Sequence, residues 1–363
     1  MKIVIGTSTN KDAKSAVNEA TGGITDPSFL LFTCSFTNLP EIVECLNEKY
    51  PAVKKLGTGG TGFFNGKDYG KNLIITAFFD DVTVITGVLR SVSTIPLRDV
   101  ETFQKNIRAI QPGKDNTICW EYCAASEEKL TTTMSSAIEP SGIPLLGGSI
   151  FGYEGAEKPL CCVDDQVYDD ACGYALIKSK SGKIKIYREN IYEKNDNVSH
   201  IATKVNRANR ELIELDGRPV ADVYTSQMGI PKNQIIDSVM NHPMCRQVGD
   251  QSYIASMKEL GPNGSFINYK QINQNDTIYF MKLADYKEIM SSTLDKIHND
   301  FSKVSLVLSV DCIYRYLLFQ SLNYTSEYLS TMHTLGNHMG YVGGGEQFVN
   351  QHMNQTLVCA VFE

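Results

Sequence analysis

The residues best equipped for chemistry gather in the last third of the chain. An apolar run, SLVLSVDC (305–312), ends in Asp311 and Cys312, and Tyr314-Arg315 opens the next helical stretch. A strand that stops before a helix sets its last side chains beside unpaired helix N–H groups, which favours anions. Arg315 there suits bidentate recognition of a carboxylate. Downstream, Gly343-Gly344-Gly345 lets backbone approach a ligand closely, and Glu346 follows with a carboxylate for an ammonium group. His352, Asn354 and Gln355 add donors and acceptors before the closing apolar run. Cys312, Arg315, Gly345, Glu346, His352, Asn354 and Gln355 therefore form a candidate site for a zwitterion. The same residue types allow a different chemistry. Cys312 at a strand end is where a thiolate is stabilised, with His352 as base and Glu346 orienting it, as in a cysteine-dependent amidase or hydrolase. They also allow a plain structural bridge between Arg315 and Glu346.

Other segments carry weaker signals. Gly57, Gly59 and Gly62 fit G-x-G-x-x-G, but FFNGKDYG follows where a dinucleotide fold needs an apolar helix. The segment reads instead as a flexible loop. Gly59, Gly60 and Thr61, with Gly147, Gly148 and Ser149, are candidate pocket loops. The six histidines form no HExxH pair, and Asp164-Asp165 and Asp169-Asp170 lack the spacing of a calcium loop. Neither a metal nor a cofactor is expected. The ten cysteines form no CxxC pair, and several sit in apolar runs, so they read as reduced, buried small hydrophobes.

The elements that must position these residues alternate. KIVIGTS and SFLLFTCS (28–35) read as strands, and Asn38-Leu39-Pro40 opens a helix. NLIITAFFDD and VTVITGVLRS (72–91) predict two adjacent strands in a hairpin turned by Asp80-Asp81. Pro96 to Ile110 is a predicted helix, NTICWEYC a strand, Glu127 to Ile138 a helix, and IPLLGGSIFG (143–152) a strand. CGYALIKSKSGKIKIYREN (172–190) predicts a second hairpin with Ser181-Gly182 as its turn. The polar stretch 191–206 suggests a boundary, giving domains 1–194 and 195–363. In the second, helices are expected from Pro219, over Ala284–Phe301, and as one long element from Tyr314 to Leu335. Two strands, in GYVGGGEQF and QTLVCAVF, follow. No fixed-period repeat is visible. Irregular interleaving with recurring hairpins favours an α+β fold, two α/β subdomains with mixed, largely antiparallel sheets flanked by helices.

Composition narrows the function classes. The chain has 363 residues, 42% hydrophobic and 21% charged, as a folded globular protein does. With 34 Lys+Arg against 41 Asp+Glu, the net charge is −7. That opposes general nucleic-acid binding and docking on anionic lipid, leaving room for a local basic patch. No apolar run reaches the ~20 residues of a membrane helix, and Ile3-Val4-Ile5 is too short for a signal peptide. A cytoplasmic protein is expected.

The order of these motifs resembles the FIST domain family. Gly345-Glu346-Gln347-Phe348 and Asn354-Gln355-Thr356-Leu357 are similar to the family's Gly-Glu segment and its Asn-Gln-Thr strand. VDCIYR, with Cys312 and Arg315, resembles its strand ending in Cys. LDGRPVADVYTSQMG looks like the start of its C-terminal half, and IPLLGGSIFG like the Gly-Gly element of its N-terminal half. Gly344-Gly345-Glu346 stands where relatives often have Tyr-Gly-Glu. The resemblance implies an N-terminal and a C-terminal FIST half. It also implies an intracellular sensory module for a small ligand, amino acids in particular, with a kinase, chemoreceptor or cyclase as output partner. With no output domain in the sequence, action on a partner in trans or a fragment of a longer protein is expected. A non-enzymatic interaction scaffold is the other alternative to the hydrolase.

Overall fold

The computed structural model describes all 363 residues. It is an α+β fold with mixed, largely antiparallel sheets flanked by helices. Three six-stranded sheets build the body, and each repeats one topology. In the first, Ile3–Ser8 forms the edge and Leu73–Phe78 comes next; Phe29–Cys34 and Lys54–Gly59 follow as a parallel pair, and the hairpin Cys161–Val163/Gln166–Tyr168 closes it. In the second the same places are taken by Val82–Arg90, Ala171–Ser179, Thr117–Cys123 with Leu145–Ser149, and the hairpin Glu346–Phe348/Gln351–Met353. In the third they are taken by Ile184–Asn190, Thr356–Phe362, Leu306–Cys312 with Asn337–Gly343, and the hairpin Gly62–Phe64/Lys67–Gly70.

The body is thus three copies of one unit, and the hairpins are exchanged in a ring. The first unit's hairpin completes the third sheet, the second's the first, and the third's the second. Each parallel pair needs a crossover, supplied by Leu39–Lys49, by Glu127–Ile138, and by Ile313–Ser321 with Thr325–His333. The strand leading each crossover ends in a cysteine: Cys34, Cys123 and Cys312. Each exchanged hairpin turns on a residue in the left-handed region, Asn65 (φ 40°), Asp164 (φ 54°) or Val349 (φ 56°).

Alternation along the strands explains the packing. Phe29 and Leu31 face a central core of 28 residues with Trp120, Tyr122, Leu308, Val310, Tyr341 and Val358, drawn from all three sheets. Leu30 and Phe32 face the other way, under helices Ala13–Ala20 and Leu39–Lys49. The second and third sheets are covered in the same manner by their own helices. Each sheet therefore buries both faces, which is why its strands read as continuous apolar runs.

Residues 192–283 are inserted in the third unit. They form a nine-stranded sheet with helix Val220–Met228 and their own core around Leu212, Tyr224, Phe266 and Phe280. The expected boundary at 194 falls at the end of the insertion's first strand, Tyr192–Lys194, and the body resumes with helix Tyr286–Asp300, within the helix expected over Ala284–Phe301.

Several expectations are corrected. Leu73–Phe78 and Val82–Arg90 are not a hairpin, because they lie in different sheets; nor do Ala171–Ser179 and Ile184–Asn190 pair. Both turns are links between successive units. Gly57 to Gly62 is not a flexible loop. It is the end of a strand and a corner between sheets, where a Cβ on Gly59 would lie 2.3 Å from the Phe36 ring and one on Gly60 2.6 Å from Tyr341. The long helix from Tyr314 is two helices, broken at Asn323 (φ 54°).

Candidate functional site

The insertion packs against the body where the crossover strands of the second and third sheets end. Arg210 bridges Glu127 and Glu128 on the first turn of helix Glu127–Ile138, at 3.0 and 2.6 Å. The Tyr314 hydroxyl donates to the Met257 carbonyl (2.9 Å), and Asn354 Oδ1 accepts from the Ser256 amide (3.2 Å). Gln355 Nε2 donates to Ser256 Oγ (2.9 Å). Asn354 and Gln355, expected to hold ligand, are clamps between insertion and body, and both are fully buried.

Arg315 is also fully buried, and its charge is matched internally. Its Nη2 donates to Glu189 Oε1 at 2.5 Å and its Nε to Asp311 Oδ1 at 2.9 Å, while Tyr328 donates to Asp311 Oδ2 at 2.7 Å. The guanidinium lies against the rings of Phe319 and Tyr328. The bridge imagined between Arg315 and Glu346 is replaced by one to Glu189 and Asp311. Two carboxylates hold Arg315 above its ordinary range despite burial.

Glu346 faces Cys312 and Thr356, whose amide and hydroxyl donate to Oε2 at 3.3 and 2.6 Å. Burial pushes Glu346 well above the carboxylate range, which favours its neutral form. Burial also pushes Cys312 well above an ordinary thiol, the opposite of an activated nucleophile. The hydrolase geometry does not form. Glu346 pairs across the hairpin with Met353, and Gln347 with His352, so Glu346 and His352 project to opposite faces of the ribbon. His352 Nδ1 lies 3.3 Å from Gln347 Nε2. Gly147 and Gly148 are buried in a strand, where a Cβ on Gly147 would meet the Glu121 carbonyl at 2.2 Å. Gly345, with its neighbour Ser149 (N–H to Gly345 carbonyl, 3.0 Å), is packed likewise. Gly59, Gly60, Thr61, Gly147, Gly148 and Ser149 line none of the larger cavities.

The structure instead opens a cavity of about 650 Å³ between the insertion and the second sheet. Of the residues expected from the sequence, only His352 reaches it. The body contributes Glu128, Lys129 and Thr131–Thr133 from helix Glu127–Ile138, with Asn350, Gln351 and His352 from the exchanged hairpin. The insertion contributes Arg207, Arg246, Lys270, Gln271 and Asn273. None of the 14 lining residues is hydrophobic, Pro96 being the only non-polar ring among them. Such walls suit a small polar molecule better than an apolar one. Lys270 is 3% exposed, and its ammonium donates to the His352 carbonyl. Burial, then the nearby Arg246, push it down to about 7, against weaker pulls from Glu128, Asp276 and Glu346. Burial lowers His352 as well.

Residues 28–218 match the family model of the FIST N domain, and residues 221–349 that of the FIST C domain. The chain belongs to the FIST family. FIST domains are sensory domains of signal-transduction proteins. The boundary between the two FIST models falls inside the insertion, so FIST N spans most of the first two units and FIST C resumes within the insertion and covers most of the third. The cavity consequently takes walls from both. No curated protein matches the chain significantly. Among solved structures, that of PurLQS from Thermotoga maritima aligns with 99% of this chain and 72% of its own at 9% identity, with a TM-score of 0.22. No helix is long and apolar enough to cross a membrane.

Proposed function

We propose that this FIST chain is a cytoplasmic sensor that takes a small polar metabolite, amino acids among them, in the cavity between insertion and body. It would report occupancy to a signalling protein in trans. The observation that carries the reading is the cavity itself: its lining is rich in charged and hydrogen-bonding side chains, and its two walls belong to parts with separate hydrophobic cores. A ligand touching both walls binds one relative placement of the parts better than another, which is the requirement for a signal. The clamps at Arg210, Tyr314, Asn354 and Gln355 are the contacts such a shift would remake. The test is a thermal-shift screen of amino acids and small polar metabolites. A ligand at a hundred times its Kd adds about 2.7 kcal/mol, worth about 3–4 °C if the chain melts as one unit. A hit that disappears in Gln271→Ala supports the cavity. A hit that survives Gln271→Ala and Asn273→Ala places the ligand elsewhere.

A further inference from the structure

The cavity walls are not electrically balanced. Glu127 and Glu128 share Arg210 (3.0 and 2.6 Å), which leaves one carboxylate charge over, and Arg246 is matched by Asp276, whose carboxylate lies 2.7 Å from Nε. Lys129, Arg207 and Lys270 remain against that one carboxylate, a surplus of basic groups; each donates to neutral oxygen, and Lys129 and Arg207 are also exposed to solvent. Lys129 donates to the Ser93 carbonyl at 2.5 Å, and Lys270 donates to the His352 carbonyl. Arg207 meets the Gln271 amide oxygen, at 2.7 and 2.9 Å with the amide turned to face it. Lys270 is the most telling, because its buried amine has no carboxylate partner to hold it charged when it takes up a proton. This surplus sits in a chain whose net charge is −7.

We propose that the cavity binds a small dianion with two separated oxyanion groups, one on Lys270 at the buried end and the other on Arg207 and Lys129 nearer the mouth. The inference rests on the cavity being the ligand site, and it specifies what the ligand must carry. A zwitterion would bring an ammonium group into a site that already holds unmatched positive charge. A dianion supplies the missing counter-charge, and each charge-assisted hydrogen bond gained is worth about tenfold to a hundredfold in affinity. Binding also has a proton signature. Lys270 faces Arg246, Glu128, Asp276 and Glu346, the Tyr253 ring, and the backbone of His352. With those surroundings it is largely unprotonated at pH 8, and an anion beside it draws a proton in.

Titration calorimetry on the full chain at pH 8, in two buffers of different ionisation enthalpy, tests this. The probes are succinate, inorganic phosphate, serine and glutamine. The expected result is binding of succinate, more tightly than inorganic phosphate, with uptake of close to one proton, weakened at least tenfold in Arg207→Gln and in Lys270→Gln. The Lys270→Gln complex should take up no proton. Phosphate binding as tightly as succinate would show a site for one oxyanion group and overturn the two-group inference. Serine or glutamine binding as tightly as the dianions, with no loss in Arg207→Gln, would overturn the inference and leave the cavity as the ligand site. Failure of all four probes at 10 mM, together with a flat metabolite screen, would overturn both.

Discussion

Lys270→Met should make the unliganded protein more stable, and the gain should depend on pH. Lys270 is pushed from 10.5 down to about 7 in the folded chain. Each unit corresponds to about 1.4 kcal/mol, so holding the charged form in the fold costs at most roughly 5 kcal/mol. Methionine keeps the length of the side chain and removes the charge, while the hydrogen bond to His352 is lost. Replacements of buried charge by apolar groups typically gain about 1–4 kcal/mol, and 2–3 is the expectation here. For a chain of this size that raises Tm by about 3–4 °C. Because the folded value lies below the unfolded one, the unfolded chain binds more protons between about pH 7 and 10.5, and wild-type stability rises with pH across that window. Below pH 7 the cost is fully present; above about 10.5 it is gone. The variant lacks this slope. Urea unfolding of both proteins at pH 6.5, 8 and 9.5 isolates the lysine, since other buried groups titrate alike in the two. A methionine variant less stable than wild type at pH 6.5, or a difference that does not shrink by pH 9.5, would show that Lys270 is matched by charge and refute the reasoning.

Three further substitutions separate architecture from site. Arg315→Ala leaves Glu189 and Asp311 buried without a counter-charge, so denaturant unfolding should show a loss of about 3–5 kcal/mol; a near-native midpoint would mean that the cluster relaxes into solvent. Glu346→Gln should shift stability at pH 7 by less than about 1 kcal/mol, since burial favours the neutral carboxyl, and the shift should stay small at pH 5. A large loss on amidation would mean that the group is ionised. Val349 holds a left-handed turn position with a β-branched side chain, so Val349→Asn should raise stability by about 0.5–1 kcal/mol in the same assay.

Most individual elements were legible in the sequence, and their partnership was not. SFLLFTCS, NTICWEYC and SLVLSVDC read as buried strands, and the helices after them were also visible. Their equivalence was hidden for two reasons. Asp80-Asp81 and Ser181-Gly182 satisfy local hairpin chemistry while joining strands of different sheets, and a local turn signal carries no information about which sheet receives each strand. The insertion at 192–283 also removes any fixed period from the third unit. The polar groups around Cys312 were recognised, but their spacing could not reveal that Glu189, far upstream, neutralises Arg315. The cavity was the least legible part. Arg207, Arg246 and Lys270 lie in ordinary polar stretches, and only the folding of the insertion against helix Glu127–Ile138 brings them together. His352 was found because it lies on the exchanged hairpin, whose neighbours were already suspect.

The ring of exchanged hairpins constrains how the chain can be born. As it leaves the ribosome, the first unit lacks its outer hairpin until residue 168 has emerged, and its own hairpin stays unpaired until strand Asn337–Gly343 arrives. Phe63 meets Gly340 from far along the chain, and Thr356–Phe362 must slide between two strands already made. No unit completes its sheet alone, so the third unit closes a circle rather than adding a domain. Open strand edges persist until that moment and invite pairing with other chains. A cut or a stall anywhere between the first unit and the third thus leaves more than one sheet open, because each unit holds the missing edge of another.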